Sequence, residues 1–272
     1  MMRSKTWLVA LALAALCACE TVQTTQGGAV GVERKQSMSP LVSSAQMDRS
    51  AAEAYAQVLA DARKKNQLDH DPAQVARVRT IADRLIPSTA AFRADAPGWK
   101  WEVNVITTQE VNAWCMPGGK IAVYTGLITS LNITDDELAA VMGHEIGHAL
   151  REHGRERASE QMTEQLGVSV LGAALGLGDV GAQLTQTILN VTLSLPHSRT
   201  QETEADRIGV ELAARSGYDP RAAVSLWQKM GRLGGGKPPE WLSTHPSDQT
   251  RTRDVQSYAE RVMPLYEAAR TR

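Results

Sequence analysis

Residues 141–150, VMGHEIGHAL, set two histidines four apart with a glutamate directly after the first. The flanking sequence makes this stretch a helix. Thr134 and Glu137 stand in capping-box spacing, and TDDELAAVMGHEIGHALREHGRERASEQ then runs on with apolar residues three and four apart. On a helix, residues four apart share a face with Cβ atoms about 5–6 Å apart, so His144 and His148 can offer nitrogens to one ion. Glu145, one position on, projects beside that ion, where a carboxylate takes a proton from water instead of binding metal. A catalytic zinc needs a third protein ligand and an open position, and that ligand has to be found elsewhere in the chain.

The pattern H-E-x-x-H-x-x-G-x-x-H is excluded, because Arg151 and Gly154 occupy the places of its glycine and last histidine. His153 falls five beyond His148, off the shared face of a continuous helix, and reads as a solvated histidine. The other common route is a glutamate from a later helix, and SRTQETEADRIGVELAARSG, residues 198–217, supplies one. Glu202 and Asp206 are four apart, so Glu202 can bind the ion while Asp206 takes the free N–H of a ligand histidine and fixes its tautomer. Glu204, about 200° round the helix from Glu202, faces elsewhere on this reading but is its rival.

The rest of the chain frames that site. Arg3 and Lys5 precede the apolar run WLVALALAALCA, too short at about 12 residues for a span of roughly 20, so residues 1–18 read as a signal peptide. The run ends in LCAC, which resembles the lipoprotein processing box of bacteria and would make Cys19 the lipidated first residue; the alternative is an ordinary secreted protein cleaved nearby. With Cys17 removed and Cys19 acylated, Cys115 stands alone, and no intrachain disulfide can form. Cys115 itself reads as a buried, inert thiol. Residues 19–44 are polar and glycine-bearing and read as a flexible tether; residues 45–272 form a single domain. Two helices open it, with Asp71 and Pro72 placed as N-cap and first helical position. WKWEVNVITT then alternates as a strand, and Pro117, Gly118 and Gly119 separate two more. From 165 to 195 the chain turns apolar and small, read as a buried or interfacial helical hairpin, and three helices follow from Thr200. The architecture is therefore α+β and mainly helical, with a small sheet beside the active helix. Balanced charge, 29 basic against 30 acidic residues, gives no reason to propose nucleic acid.

HEIGH followed by SRTQETEADRIG, preceded by NAWCMPGGKIAVYTGL and followed by THPSDQTR, resembles metallopeptidase family forty-eight from about residue 45 to the end. Within it the chain looks like the short periplasmic lipoprotein peptidases. The resemblance implies a gluzincin-type fold and one zinc per chain on His144, His148 and Glu202, with Glu145 as base and Asp206 behind the ligands. It implies that Gly118, Gly119, Lys120, Ile121, Ala122, Val123 and Tyr124 form an edge strand for an extended substrate. His245 and Arg251 are placed near the cleft, the histidine as a latency plug or a participant in the reaction. The arginine would support the oxyanion; alternatively, the pair are a loop histidine and an arginine pairing an acid. The expected activity is zinc endopeptidase action on unfolded or misfolded envelope proteins. Rival readings are a chaperone or assembly adaptor and a hydrolase of cell-wall peptides. The expected partners are those substrates and the membrane through the lipid, with the apolar segment offering a surface for a second copy or a barrel-assembly partner. Glu20 after Cys19 favours the outer membrane over the inner.

Overall fold

The computed structural model describes residues 20–169, 180–233, 240–246 and 249–271. Two short strands, β1 (Glu20–Val22) and β2 (Gln36–Met38), pair antiparallel with Glu20 opposite Met38. Helices α1 (Ser44–Lys64) and α2 (Pro72–Ser88) follow, capped by Ser43 and Asp71. Strands β3 (Glu102–Ile106), β4 (Ala113–Met116) and β5 (Lys120–Tyr124) form a second sheet in the order β3-β5-β4. The β4–β5 turn needs its glycines, since Gly118 and Gly119 have φ of +73° and +80°. A Cβ on Gly119 would also lie 2.6 Å from the Trp101 ring. Tyr55 on α1 donates to the Ile121 carbonyl at 2.6 Å, fastening helix to sheet.

After the short α3 (Thr125–Ser130) comes α4 (Asp135–Leu150), the helix that carries HEIGH. Its start is the capping box read from sequence: Glu137 N donates to Thr134 Oγ1 at 3.2 Å, and Thr134 N to Glu137 Oε2 at 2.9 Å. Every residue from Glu137 to Leu150 is buried, because β4 covers one side of α4 while α2, α7 (Arg199–Arg215) and α8 (Ala222–Arg232) cover the others. Leu138, Val141, Met142, Ile146 and Leu150 are fully buried. At about 1.5–3 kcal/mol each, they offset the cost of burying the helix's polar residues. Against α7 the packing is closer than side chains usually permit. Gly143 and Gly147 face Gly209 and Ala205 backbone to backbone, and a Cβ on Gly209 would lie 2.7 Å from His144 N. That seam sets Glu202 beside the two histidines.

The chain is completed by α5 (His153–Ser169), α6 (Val180–Leu193), α9 (Glu240–Thr244) and α10 (Gln249–Arg270). No helix among the described residues is long and apolar enough to cross a membrane. Three expectations are corrected. The long HEIGH helix breaks after Leu150, where Glu152 takes a left-handed φ of +52°, and α5 starts anew. Among the described residues four helices, not three, follow Ser198, the extra one being the five-residue α9. Within the expected flexible tether, residues 20–43 are a strap folded onto the domain. Val30, Val32, Met38 and Val42 are buried, and Val30 N donates to Glu211 Oε2 at 3.0 Å. Its irregular path, with Gly28 and Gly31 at positive φ, leaves no period for a sequence reading to detect. Cys17, Cys19 and the signal region lie outside the described residues, as does the middle of the apolar segment.

Candidate metal centre

One turn of α4 presents His144 and His148 on the same face, as their spacing requires. Across the glycine seam, the first turn of α7 presents Glu202, and the segment after α9 presents His245. The nearest donor atoms of these four buried residues all lie within 4.8 Å of one another. His144 Nε2 is 3.1 Å from His148 Nε2 and 3.2 Å from His245 Nδ1. Glu202 Oε1 is 2.9 Å from His245 Nδ1 and 3.3 Å from His148 Nε2. These separations match the edges of a tetrahedron about zinc, about 3.3 Å for bonds of 2.0–2.1 Å. Asp206 Oδ1 lies 2.9 Å from His144 Nδ1, so that nitrogen donates and Nε2 is left as a lone pair facing the other donors. A converging set of lone pairs and a carboxylate suits a cation, and the donor set fits zinc.

The electrostatics agree. Burial pushes His148 well below the ordinary imidazole value, so the ring is neutral, the form that binds metal. Burial would raise Glu202, but His245, His148 and His144 outweigh it and hold the carboxylate well below its usual range. Glu145, the expected base, is lifted above the usual carboxylate value by burial, against the lowering pull of His245 and His144. Trp241 Nε1 donates to its Oε1 at 2.8 Å, and Trp241 stacks on His245 with ring centroids 4.7 Å apart. Segment 241–245 therefore covers both the base and the fourth donor position. Glu145 is 3% exposed, too little for a peptide to reach it in this state.

His144, His148 and Glu202 thus come together, and Asp206 stands behind His144. His245 joins the same cluster as a fourth possible donor. Arg251 is placed differently from the oxyanion expectation. It forks onto Asp206 at 2.8 and 2.9 Å, lies 2.7 Å from Glu202 Oε2 and donates from Nη1 to Pro246 O at 2.6 Å. Its contacts are those of an arginine pairing acids. The substrate-strand expectation is corrected by topology: β5, which holds Lys120–Tyr124, is the central strand with partners on both sides. The sheet edge at α4 is β4. Cys115 on β4 is buried and free, as expected.

Two histidines escaped the sequence reading. His153 is not solvated but fully buried, with Nδ1 2.9 Å from His148 Nδ1 and Nε2 3.0 Å from Glu204 Oε2. The cause is the break at Glu152, which swings His153 back toward the preceding turn. Glu204 does turn away from the donor cluster, yet it reaches the site through His153. Burial opposes its ionisation, but hydrogen bonds from His153 and Arg34, with Arg151 nearby, bring it down to about 2. His197 precedes α7 without a spacing signal; its ring lies 4.0 Å from that of His148, and Arg157 Nη1 reaches it at 3.3 Å.

Residues 72–259 match the model of peptidase family M48. The chain is similar to the mitochondrial metalloendopeptidase OMA1 of Arabidopsis thaliana, 43% identical over 156 residues, 57% of this chain and 31% of that protein. It is 34% identical over 212 residues to OMA1 of Schizosaccharomyces pombe, covering 77% of this chain and 60% of that one. It is also 29% identical over 212 residues to a beta-barrel assembly-enhancing protease of Yersinia pestis, covering 72% and 41%. The chain thus spans less than two thirds of the length of each of these relatives.

Proposed function

Because the chain belongs to peptidase family M48, we propose that it works as an endopeptidase of the bacterial cell envelope that degrades misfolded periplasmic or outer-membrane proteins. It is a zinc metalloendopeptidase, and one observation carries the site assignment: His144, His148, Glu202 and His245 converge with Glu145 alongside. His144, His148 and Glu202 would hold the ion, with His245 as a fourth donor in the shut state. Bound zinc supplies Lewis acidity for a peptide carbonyl and lowers the pKa of a water to about 7. Glu145, its basicity raised by burial, takes the proton of the attacking water and passes it to the leaving amine nitrogen. Asp206 keeps His144 in the tautomer that offers Nε2, and Arg251 keeps Asp206 in place. An extended substrate would add along the β4 edge, Ala113–Met116, pairing backbone to backbone with little demand on sequence.

The address rests on the N-terminus. Arg3, Lys5, the apolar run and LCAC support export and a lipid on Cys19, and Glu20 supports the outer membrane over the inner. With Glu20 already in β1, such a lipid would hold the domain against the bilayer. The Yersinia relative's name supports a link to barrel assembly. A second reading, a latent or non-proteolytic adaptor for outer-membrane proteins, is favoured by the shut site, with Trp241 on the base and His245 at the fourth position. Expression of the wild type and Cys19→Ala in a Gram-negative host tests the envelope reading, with lipid incorporation, membrane fraction and survival of a misfolded barrel protein followed. Lipid on the wild type alone, with faster loss of the barrel protein, is expected. An unmodified Cys19 or an undegraded barrel protein counts against it.

A further inference from the structure

The two ligand histidines are braced differently. His144 has the short chain to Asp206 and Arg251 already described. His148 has a longer one that ends outside the catalytic helices, on the N-terminal strap. His148 Nε2 faces the donor cluster, so its other nitrogen, Nδ1, carries the proton. That proton points at His153 Nδ1, 2.9 Å away, which must therefore accept. His153 then carries its own proton on Nε2 and donates it to Glu204 Oε2 at 3.0 Å. The direction of the whole chain follows from which nitrogen of His148 meets the metal.

What fixes Glu204 is Arg34. Its guanidinium lies between two buried carboxylates: Nε and Nη2 meet Glu204 at 2.7 and 3.1 Å, while Nη1 and Nη2 meet Glu156 at 2.6 and 3.0 Å. Without that fork, Glu204 Oε1 loses its 2.7 Å contact, two like charges face each other, and only Arg151 and His153, both on Oε2, are left to orient the carboxylate. Arg151 holds Glu204 from the other side at 3.1 Å, but its remaining bonds also end on the strap, at Thr24, Thr25 and the Arg34 carbonyl. Gln36 adds a bond to the Arg151 carbonyl at 2.7 Å and another to Glu156 at 3.1 Å. The strap is thus joined to the end of α4 and to the carboxylates that orient His153.

We propose that Arg34 is a positioning residue for the metal centre, acting through Glu204 and His153 on the ligand His148. The strap is then part of the site's framework, and displacing it loosens metal binding without touching a ligand. The inference rests on the zinc assignment made above. Its test is zinc affinity of the full chain, stripped of metal and titrated against a competing chelator, together with the melting temperature of the metal-free protein. Groups behind a metal ligand typically contribute 10–100-fold in affinity, so Arg34→Ala should weaken zinc roughly 10-fold. Arg34→Gln, which keeps the strap's bulk, should weaken it similarly, and Arg34→Lys should restore part. In a His153→Phe background the same Arg34 changes should add less than roughly two-fold, because the route to His148 is already cut. Zinc affinity unchanged in both Arg34→Ala and Arg34→Gln overturns the inference, even if the metal-free protein melts lower, as a merely structural clamp would make it do. A full additional loss in the His153→Phe background also overturns it. A wild type that takes up no zinc overturns the metal assignment and this inference together.

Discussion

Gly209→Ala changes one methyl group at the seam on which the metal centre is built. The added Cβ would lie 2.7 Å from His144 N and 3.0 Å from Gly143 C and His144 Cα. All three are backbone atoms of a helix buried on every side, so none can swing away. Carbon contacts settle near 3.5 Å, and reaching that from 2.7 Å requires α4 and α7 to part by roughly 0.8 Å. Alanine gains up to about 1 kcal/mol in helix propensity. Overpacking costs about 1–3 kcal/mol, and a gap of that width forfeits a quarter to a half of the dispersion along the seam. The expected net loss is about 1–2 kcal/mol, a melting temperature lower by roughly 2–8 °C for a chain of this size. Zinc affinity falls with it, because Glu202 rides on α7 and the histidines on α4. The measurement is thermal unfolding of the metal-free protein with a zinc titration alongside. Gly231→Ala is the control: nothing lies within 4 Å of a Cβ there, so the same change should be neutral or stabilise by up to about 1 kcal/mol. A Gly209→Ala protein that melts at or above wild type and binds zinc as tightly would show that the glycine seam does not set the site.

His245→Ala should raise the basal rate on an unfolded protein while zinc stays bound through the other three donors; equal rates with equal zinc would contradict the shut state. Thr134→Ala removes the cap of α4 and should lower stability by about 1 kcal/mol, read from denaturant unfolding. Glu204 has its pKa lowered from 4.5 to about 2, so its contribution is present above about 4.5 and lost as pH falls through that window. The stability advantage of the metal-free wild type over Glu204→Gln should therefore shrink between pH 4.5 and 2; an advantage independent of pH there would contradict the assignment.

What the sequence disclosed followed from local regularity. The capping box at Thr134, the four-residue spacing of His144 and His148, and that of Glu202 and Asp206 are properties of a helix, and the structure preserves each. The α+β class was legible because helical and alternating periods separate cleanly along the chain. Departures from regularity were not. His153 is off-face only on a helix that continues straight through Glu152, whose left-handed backbone has no mark in the residues themselves. The edge-strand role that the family resemblance implies for Lys120–Tyr124 does not hold because strand order is a long-range property; β3, nearly twenty residues earlier, takes its far side. The strap looked like linker because its buried residues, Val30, Val32 and Met38, are held by contacts with distant helices and not by a repeat of their own.

In the proposed mechanism His144, His148 and Glu202 hold a catalytic zinc for which Glu145 is the base. The direct measurement is cleavage of an unfolded protein by the wild type and by Glu145→Gln, with the zinc content of both determined on the same samples. One zinc per chain in each and turnover in the wild type alone are expected. Turnover by zinc-loaded Glu145→Gln at the wild-type rate would contradict it.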